Sequence, residues 1–203
     1  FYPHLPVEEF RCRKHWRYAA GFDHGYAHNT AIVLGTQGDD GKYYIVDEHA
    51  KNKTAIKHHV EMFKERIALR ATEMKNPKFS IKDLGFIAAG HDAIAASYAH
   101  CGFWLNKARI QRVAGWALLR ELFGNPYDKD HPTEPRLIIH PRCVKLIAAL
   151  RELRHDDHHP EDTAKMNLAP GKDAGVSDDL PDSVRYLIMS LVQGFARVGK
   201  TNF

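Results

Sequence analysis

The chain has 203 residues, of which 44% are hydrophobic and 27% charged, which is ordinary for one α/β domain with a sizeable core or for two small domains. A formal charge of +4 is compatible with a polyanionic partner. Three cysteines without a CxxC pair argue against a disulfide scaffold and a structural zinc site. No run of about 18 apolar residues is present, so the sequence predicts no membrane span.

The first third of the chain predicts a linker and then three strands. Residues 1–17, with two prolines before a basic stretch, are expected to be a linker. Three runs rich in Ile, Val and Tyr then predict strands: YAAGFDHG, NTAIVLGTQ and KYYIVDEHA. The GDDG sequence at 38–41 predicts a hairpin turn, so the strands are expected to form an antiparallel meander.

A helix is expected next, capped by Thr54 and ending near Asn76 and Pro77. Its predicted apolar face consists of Ile56, Val60, Phe63, Ile67 and Leu69. Strands and helices then alternate: a strand at 84–89, a helix at 92–101, a short strand or loop in FWLNKA, a helix at 110–123, a strand at 136–140, a helix starting at Pro141, a polar stretch at 154–177 and a last helix at about 179–198.

This order of elements is that of a ribonuclease-H-like α/β fold. Its mixed sheet has three antiparallel strands followed by parallel strands and is flanked by helices. The first strand then lies in the middle of the sheet, and the strand that ends near Ala89 is its parallel neighbour.

Four aspartates are the candidate functional residues. Asp23 lies on the first strand, Asp92 follows the strand that ends near Ala89, and Asp179 and Asp182 lie in the first turn of the last helix. The spacing of three places the last two on one helical face. Converging carboxylates repel each other, and divalent metal ions usually offset that repulsion. We therefore expect a site for two divalent ions, which would activate a water and stabilise the leaving oxygen in phosphodiester hydrolysis.

Three of these acids also have a structural interpretation that the sequence leaves open. Asp23 could be a turn residue, Asp92 a helix cap, and Asp179 a cap in competition with Asp178. Glu48 is a further candidate at a strand end, where a solvated glutamate is the expected alternative, and His24 and His91 each neighbour a candidate aspartate. The HDDHH run at 155–159 is more typical of a solvated loop than of a metal site.

Two basic clusters are candidates for phosphate contact. Lys107, Arg109 and Arg112 form one of them, and RCRKHWR at 11–17 forms the other. A solvated face is the alternative interpretation of both clusters.

Three segments carry a family resemblance: GFDHG on the first strand, GFIAA followed by an aspartate, and DDLPDSVRYLI at the start of the last helix. In their order and spacing, residues 18–195 resemble the C-terminal nuclease domain of the large terminase subunit of tailed bacteriophages. Asp179 stands where that family often has a histidine.

The resemblance implies a nuclease domain at 18–203 that depends on Mg²⁺ or Mn²⁺ and cuts concatemeric double-stranded viral DNA during genome packaging. Its catalytic ligands would be Asp23, Asp92 and Asp182, with Asp179 as a further metal ligand. An ATPase domain would precede residues 1–17. The portal protein and the small terminase subunit would be partners, and the protein would act at the procapsid in the host cytoplasm.

Two other functions remain open from the sequence. One is a different ribonuclease-H-like enzyme, such as a Holliday-junction resolvase or a transposase-type strand transferase. The other is a non-catalytic DNA-binding module in which the acids are caps and turns. The GFARVGKT run at 194–201 matches a phosphate-binding loop in its letters, but it follows a predicted helix where such a loop follows a strand.

Overall fold

The structure, a computed structural model, describes residues 2, 4–25, 28–90, 94–164 and 177–192. Its centre is a sheet of six strands: β1 (Tyr18–Asp23), β2 (Thr30–Gln37), β3 (Tyr43–Lys51), β4 (Ile87–Ala89), β5 (Asn106–Lys107) and β6 (Leu137–Ile139). The strand order is β5-β4-β1-β2-β3-β6. Strands β1 to β3 form the antiparallel meander. β4 pairs in parallel with β1 and with β5, and β6 pairs in parallel with β3. The predicted mixed sheet, with the first strand inside it, is therefore confirmed.

Helices cover both faces of the sheet. The described helices are α1 (Ile56–Glu73), α2 (Ala95–Ala99), α3 (Arg112–Phe123), α4 (Val144–Glu152) and α5 (Asp179–Val192). One apolar cluster joins α1 and α2 to one face of the sheet, and a second joins α3, α4 and α5 to the other face. Among the described residues, no helix has both the length and the apolar character needed to cross a membrane.

Successive side chains of β1 point to opposite faces of the sheet and so belong to different apolar clusters. Tyr18, Ala20 and Phe22 belong to the cluster with α1, whereas Ala19 belongs to the cluster with α5. A Cβ atom added to Gly21 would lie 1.9 Å from the carbonyl oxygen of Ser183 in α5. Glycine at this position therefore lets the backbone of α5 lie directly on β1, on the face that Asp23 also shares.

The hairpin between β2 and β3 forms as predicted. The Gly38 N–H donates to the carbonyl of Lys42 at 2.8 Å, and Gly41 has a φ of 76°, which glycine adopts readily. β3 contains an irregularity opposite the Leu34–Gly35 step of β2.

Several predicted helix starts are wrong. Thr54 does not cap α1, because its hydroxyl donates to the Asn52 carbonyl at 2.8 Å and Ala55 takes the capping position without a side-chain hydrogen bond. α4 begins at Val144 and not at Pro141, since a turn separates the two.

Leu69, which was predicted for the apolar face of the first helix, is exposed. The predicted helix at 110–123 begins two residues later, at Arg112. Residues 91–93 and those after Val192 lie outside the described residues, so the predicted bounds at 92 and 198 remain predictions.

The segment before β1 contacts the far edge of the sheet. Val7 forms a parallel bridge with Ile139, and the Glu8 N–H donates to the Ile139 carbonyl at 3.1 Å. Leu5 packs against the core. The ATPase domain expected before this segment stays a prediction.

Candidate metal centre

Asp23 is the last residue of β1 and lies at the end of the sheet where all five mutually parallel strands terminate. It pairs in register with Ala31 on β2 and is only 9% exposed. Two positions before it, Gly21 contacts α5. The strand therefore directs this carboxylate towards the first turn of α5.

The first turn of α5 brings the other acids to Asp23. The Ser183 hydroxyl donates to the carbonyl of Ala31 at 3.1 Å, next to Asp23 in the sheet. Asp182 precedes this serine and is also buried. Burial is the largest cause that raises the pKa of Asp23 well above its ordinary value, followed by repulsion from Asp182 and then from Asp179. Asp23, Asp179 and Asp182 thus lie at the same end of the sheet, and their predicted convergence with Asp92 stays a prediction, because Asp92 lies outside the described residues.

Asp178 is a fourth acid at this end of the sheet, whereas the sequence predicts for it only a role as a helix cap. Burial raises its pKa, and repulsion from Asp182 and Asp179 raises it further. The signal in the sequence was the Asp178–Asp179 doublet, since two adjacent acids at a helix start exceed what one cap requires.

Asp179 ties α5 to the loop between β1 and β2. Its Oδ2 accepts the N–H of Asn29 at 3.1 Å and the hydroxyl of Ser177 at 2.6 Å, and the Asn29 amide donates to that hydroxyl at 2.9 Å. Burial raises the pKa of Asp179, and the two hydrogen bonds oppose that rise. Asp179 therefore positions the helix, and one of its oxygens is committed to that role.

Asp182 is held by two arginines. Its Oδ1 accepts from Nε and Nη2 of Arg185 at 3.0 and 2.8 Å, and its Oδ2 accepts from Nη1 of Arg112 at 3.3 Å. Arg112 also binds Asp162. Positive charge from side chains thus partly neutralises the acids at this end of the sheet.

The remaining predicted ligand, Asp92, lies outside the described residues, as does His91. Within the parts of the chain that the structure describes, no group of three or more His, Cys, Asp or Glu side chains is arranged to hold a metal ion. The metal-ligand roles of Asp23, Asp92, Asp179 and Asp182 therefore stay predictions.

Glu48 and His24 have structural contacts. Both carboxylate oxygens of Glu48 accept backbone N–H groups, from Lys145 at 2.8 Å and Leu146 at 2.7 Å, so this buried side chain caps α4. The expectation of a solvated glutamate at this position is wrong. The Nδ1 atom of His24 lies 3.0 Å from the Tyr98 hydroxyl, on the opposite face of the sheet from α5.

The three candidate phosphate contacts are not equivalent. Lys107 is the last residue of β5 and Arg109 follows the strand; both are exposed, at the same end of the sheet as Asp23. Arg112 is only 30% exposed because it binds Asp162 and Asp182. The first two residues are therefore better placed than Arg112 for an extended polyanion.

The HDDHH run forms a mostly exposed turn, in which Asp156 Oδ1 accepts the N–H groups of His158 and His159 at 2.9 and 3.0 Å. That contact agrees with the solvated-loop interpretation. The GFARVGKT run lies outside the described residues.

Comparisons with solved structures show the class of fold. The P22 large terminase nuclease domain is 18% identical, with a TM-score of 0.66 over 97% of this chain and 91% of that one. The large terminase nuclease of the thermophilic phage G20c, solved with bound cobalt, is 15% identical, with a TM-score of 0.50 over 95% of this chain and 93% of that one.

A third structure is a large terminase from a thermophilic bacteriophage, at 16% identity and a TM-score of 0.63. The match covers 95% of this chain and 43% of that one. No protein-family profile and no curated protein sequence matches the chain. The chain thus has the ribonuclease-H-like fold of large terminase nuclease domains, which confirms the resemblance at the level of the fold.

Proposed function

We propose that this chain is a divalent-metal-dependent endonuclease that hydrolyses phosphodiester bonds of double-stranded DNA during bacteriophage genome packaging. The observation that carries the proposal is the burial of Asp23 against the acids of α5, at the end of a sheet whose fold is shared with large terminase nucleases. A cluster of ionised carboxylates is costly in a protein interior unless cations are near.

The donors fit a hard divalent cation. Asp23 and Asp182 would hold it together with Asp92, and Asp179 would add an oxygen to the set. These groups are all carboxylates, as Mg²⁺ and Mn²⁺ prefer. The cobalt in the G20c nuclease supports metal dependence in this fold. When bound, two such ions would supply activation of a water and stabilisation of the leaving oxygen.

The chain's own side chains would position the acids and the DNA. β1 fixes Asp23, because this strand is paired on both sides. The hydrogen bonds of Asp179 to Asn29 and Ser177 hold α5 in place. Lys107 and Arg109 would contact the phosphate backbone, which orients the duplex without reading its sequence.

The proposed partners follow from the packaging role. They are double-stranded viral DNA, an ATPase domain, the portal protein and the small terminase subunit. The match covers 43% of a large terminase that was solved in complex with ADP, and we propose that the ATPase domain lies in the part of such a protein that this chain does not cover. Its place of action would be the procapsid in the host cytoplasm.

The test is cleavage of supercoiled plasmid with Mg²⁺, with Mn²⁺ and with EDTA. We expect nicked and linear products only with metal, and none from Asp23→Asn. Asp39→Asn is the matched control, because Asp39 is an exposed aspartate in the hairpin turn at the opposite end of the sheet. Robust cleavage by Asp23→Asn would refute the site, and a preference for four-way junctions over linear duplex would indicate a resolvase instead.

A further inference from the structure

The two arginines that bind Asp182 differ in how firmly they are held. We propose that Arg112 is a positioning residue that competes with the metal for Asp182, and that Asp162 controls this competition by holding Arg112 from its other side. The inference rests on the proposed metal-dependent function and adds a regulatory contact to that site. It concerns the α3 arginine and the 154–164 segment, neither of which belongs to the predicted ligand set.

Arg185 is a fixed partner of Asp182. Its side chain is 1% exposed, and its guanidinium lies over the rings of Trp116, at 5.1 Å, and Tyr186, at 4.6 Å. A Cβ atom added to Gly115 would lie 2.6 Å from the arginine's Cγ and Cδ. This side chain has no room to withdraw, so Oδ1 of Asp182 stays bound to it.

Arg112 is the releasable partner. Its Nη1 reaches Oδ2 of Asp182 at 3.3 Å, the longest of the three arginine contacts to this carboxylate. On its other side, its Nε lies 3.2 and 3.1 Å from the two oxygens of Asp162, and its Nη2 donates to the Thr163 hydroxyl at 3.1 Å. The guanidinium is thus shared between two carboxylates on separate segments.

This sharing has a direct consequence for metal binding. A cation approaching Oδ2 of Asp182 meets the positive charge of Arg112, which must turn away before the oxygen is available. Asp162 and Thr163 would still accept hydrogen bonds from the arginine after it has released Asp182. Contacts of the 154–164 segment therefore set how readily the acid cluster accepts a metal.

The experiment is titration of the folded protein with Mn²⁺, followed by the loss of the free-ion electron paramagnetic resonance signal. We expect Arg112→Gln to bind Mn²⁺ about three- to tenfold more tightly, because a partly exposed ion pair is lost as a competitor. We expect Asp162→Asn to bind it about threefold more weakly, because Arg112 then turns fully to Asp182. Thermal unfolding without metal checks that each variant is folded.

The double variant separates this explanation from simple attraction of the metal by Asp162. If Asp162 acts through the arginine, Asp162→Asn changes nothing in the Arg112→Gln background. A persisting loss of affinity there would overturn the proposal, as would unchanged affinity in Arg112→Gln. Arg136→Gln is the matched control, because it removes an exposed arginine, paired with Glu121 at 3.6 Å, from the opposite end of the sheet.

The Asp23→Asn variant separates failure of this inference from failure of the proposed function. If Mn²⁺ affinity does not depend on Asp23, the metal centre itself is wrong. If the affinity depends on Asp23 and is the same in wild type and Arg112→Gln, the competition is wrong and the metal centre stands.

Discussion

Replacing Asp23 by asparagine should stabilise the metal-free protein. Burial and neighbouring carboxylates raise the pKa of Asp23 in the folded state, so its ionised form opposes folding. The stability that the protonated form contributes is complete below the ordinary value of 3.8 and is lost as the pH rises through the folded-state pKa. The gain from Asp23→Asn should therefore be near zero at about pH 4 and largest at pH 8.

The magnitude follows from the site. A buried ion costs several kcal/mol, and Arg185 offsets part of that cost for Asp23. We therefore expect Asp23→Asn to raise the free energy of unfolding by about 2 kcal/mol at pH 8, which is most of the penalty that remains. For a chain of this length, that corresponds to a rise of about 4–8 °C in Tm.

The assay is thermal unfolding followed by circular dichroism at pH 4, 6 and 8, in EDTA and in Mn²⁺. Wild type should gain stability from Mn²⁺ at pH 8, and Asp23→Asn should gain far less, because it lacks the proposed ligand. Asp39→Asn provides the control, since Asp39 is exposed and remote from the acids. A lower Tm for Asp23→Asn in EDTA at pH 8, or an equal response to Mn²⁺, would refute the reasoning.

Three further predictions concern the fold around the site. Gly21→Ala should lower the free energy of unfolding in urea by about 3 kcal/mol, because its Cβ would lie 1.9 Å from a backbone oxygen of α5. An unchanged unfolding midpoint would mean that α5 does not pack against β1 as described. Glu48→Gln should cost about 1–2 kcal/mol in the same assay by weakening the cap of α4, and a neutral result would contradict that role. Burial lowers the pKa of His49 to about 3 and that of His59 to about 4. Because both histidines therefore bind protons mainly after unfolding, the free energy of unfolding should fall as the pH drops below about 6.5. Urea unfolding at pH 7 and 5 should show a smaller loss for His49→Gln than for wild type, and equal losses would exclude the pair as the cause.

The sheet was predictable because its signals are local. Runs of Ile, Val and Tyr marked the first three strands, and the glycines of GDDG marked the turn between two of them. The position of Asp23 followed from the order of elements, since a meander followed by alternating strands and helices leaves β1 inside the sheet. The same topology predicts that Asp182 lies at the end of the sheet that carries Asp23.

The details of capping and charge pairing were not predictable, because they depend on contacts between distant segments. Thr54 had the right residue type for a cap, but the chain turns there and its hydroxyl contacts Asn52. The cap that does form on α4 is supplied by Glu48, 97 residues away from Lys145. Arg112 resembled a phosphate contact in sequence, and only the fold shows its bond to Asp162.

Because Ser183 follows Ala31 so late in the chain, the site can be completed only late in synthesis. These residues are 152 positions apart, and α5 is the last of the site's described elements to leave the ribosome. At roughly 5–20 residues per second, the helix that carries Asp182 is synthesised about 8–30 seconds after β1. A nascent or truncated chain without α5 would have Asp23 and Asp92 but not Asp179 or Asp182, so its proposed metal centre would be incomplete.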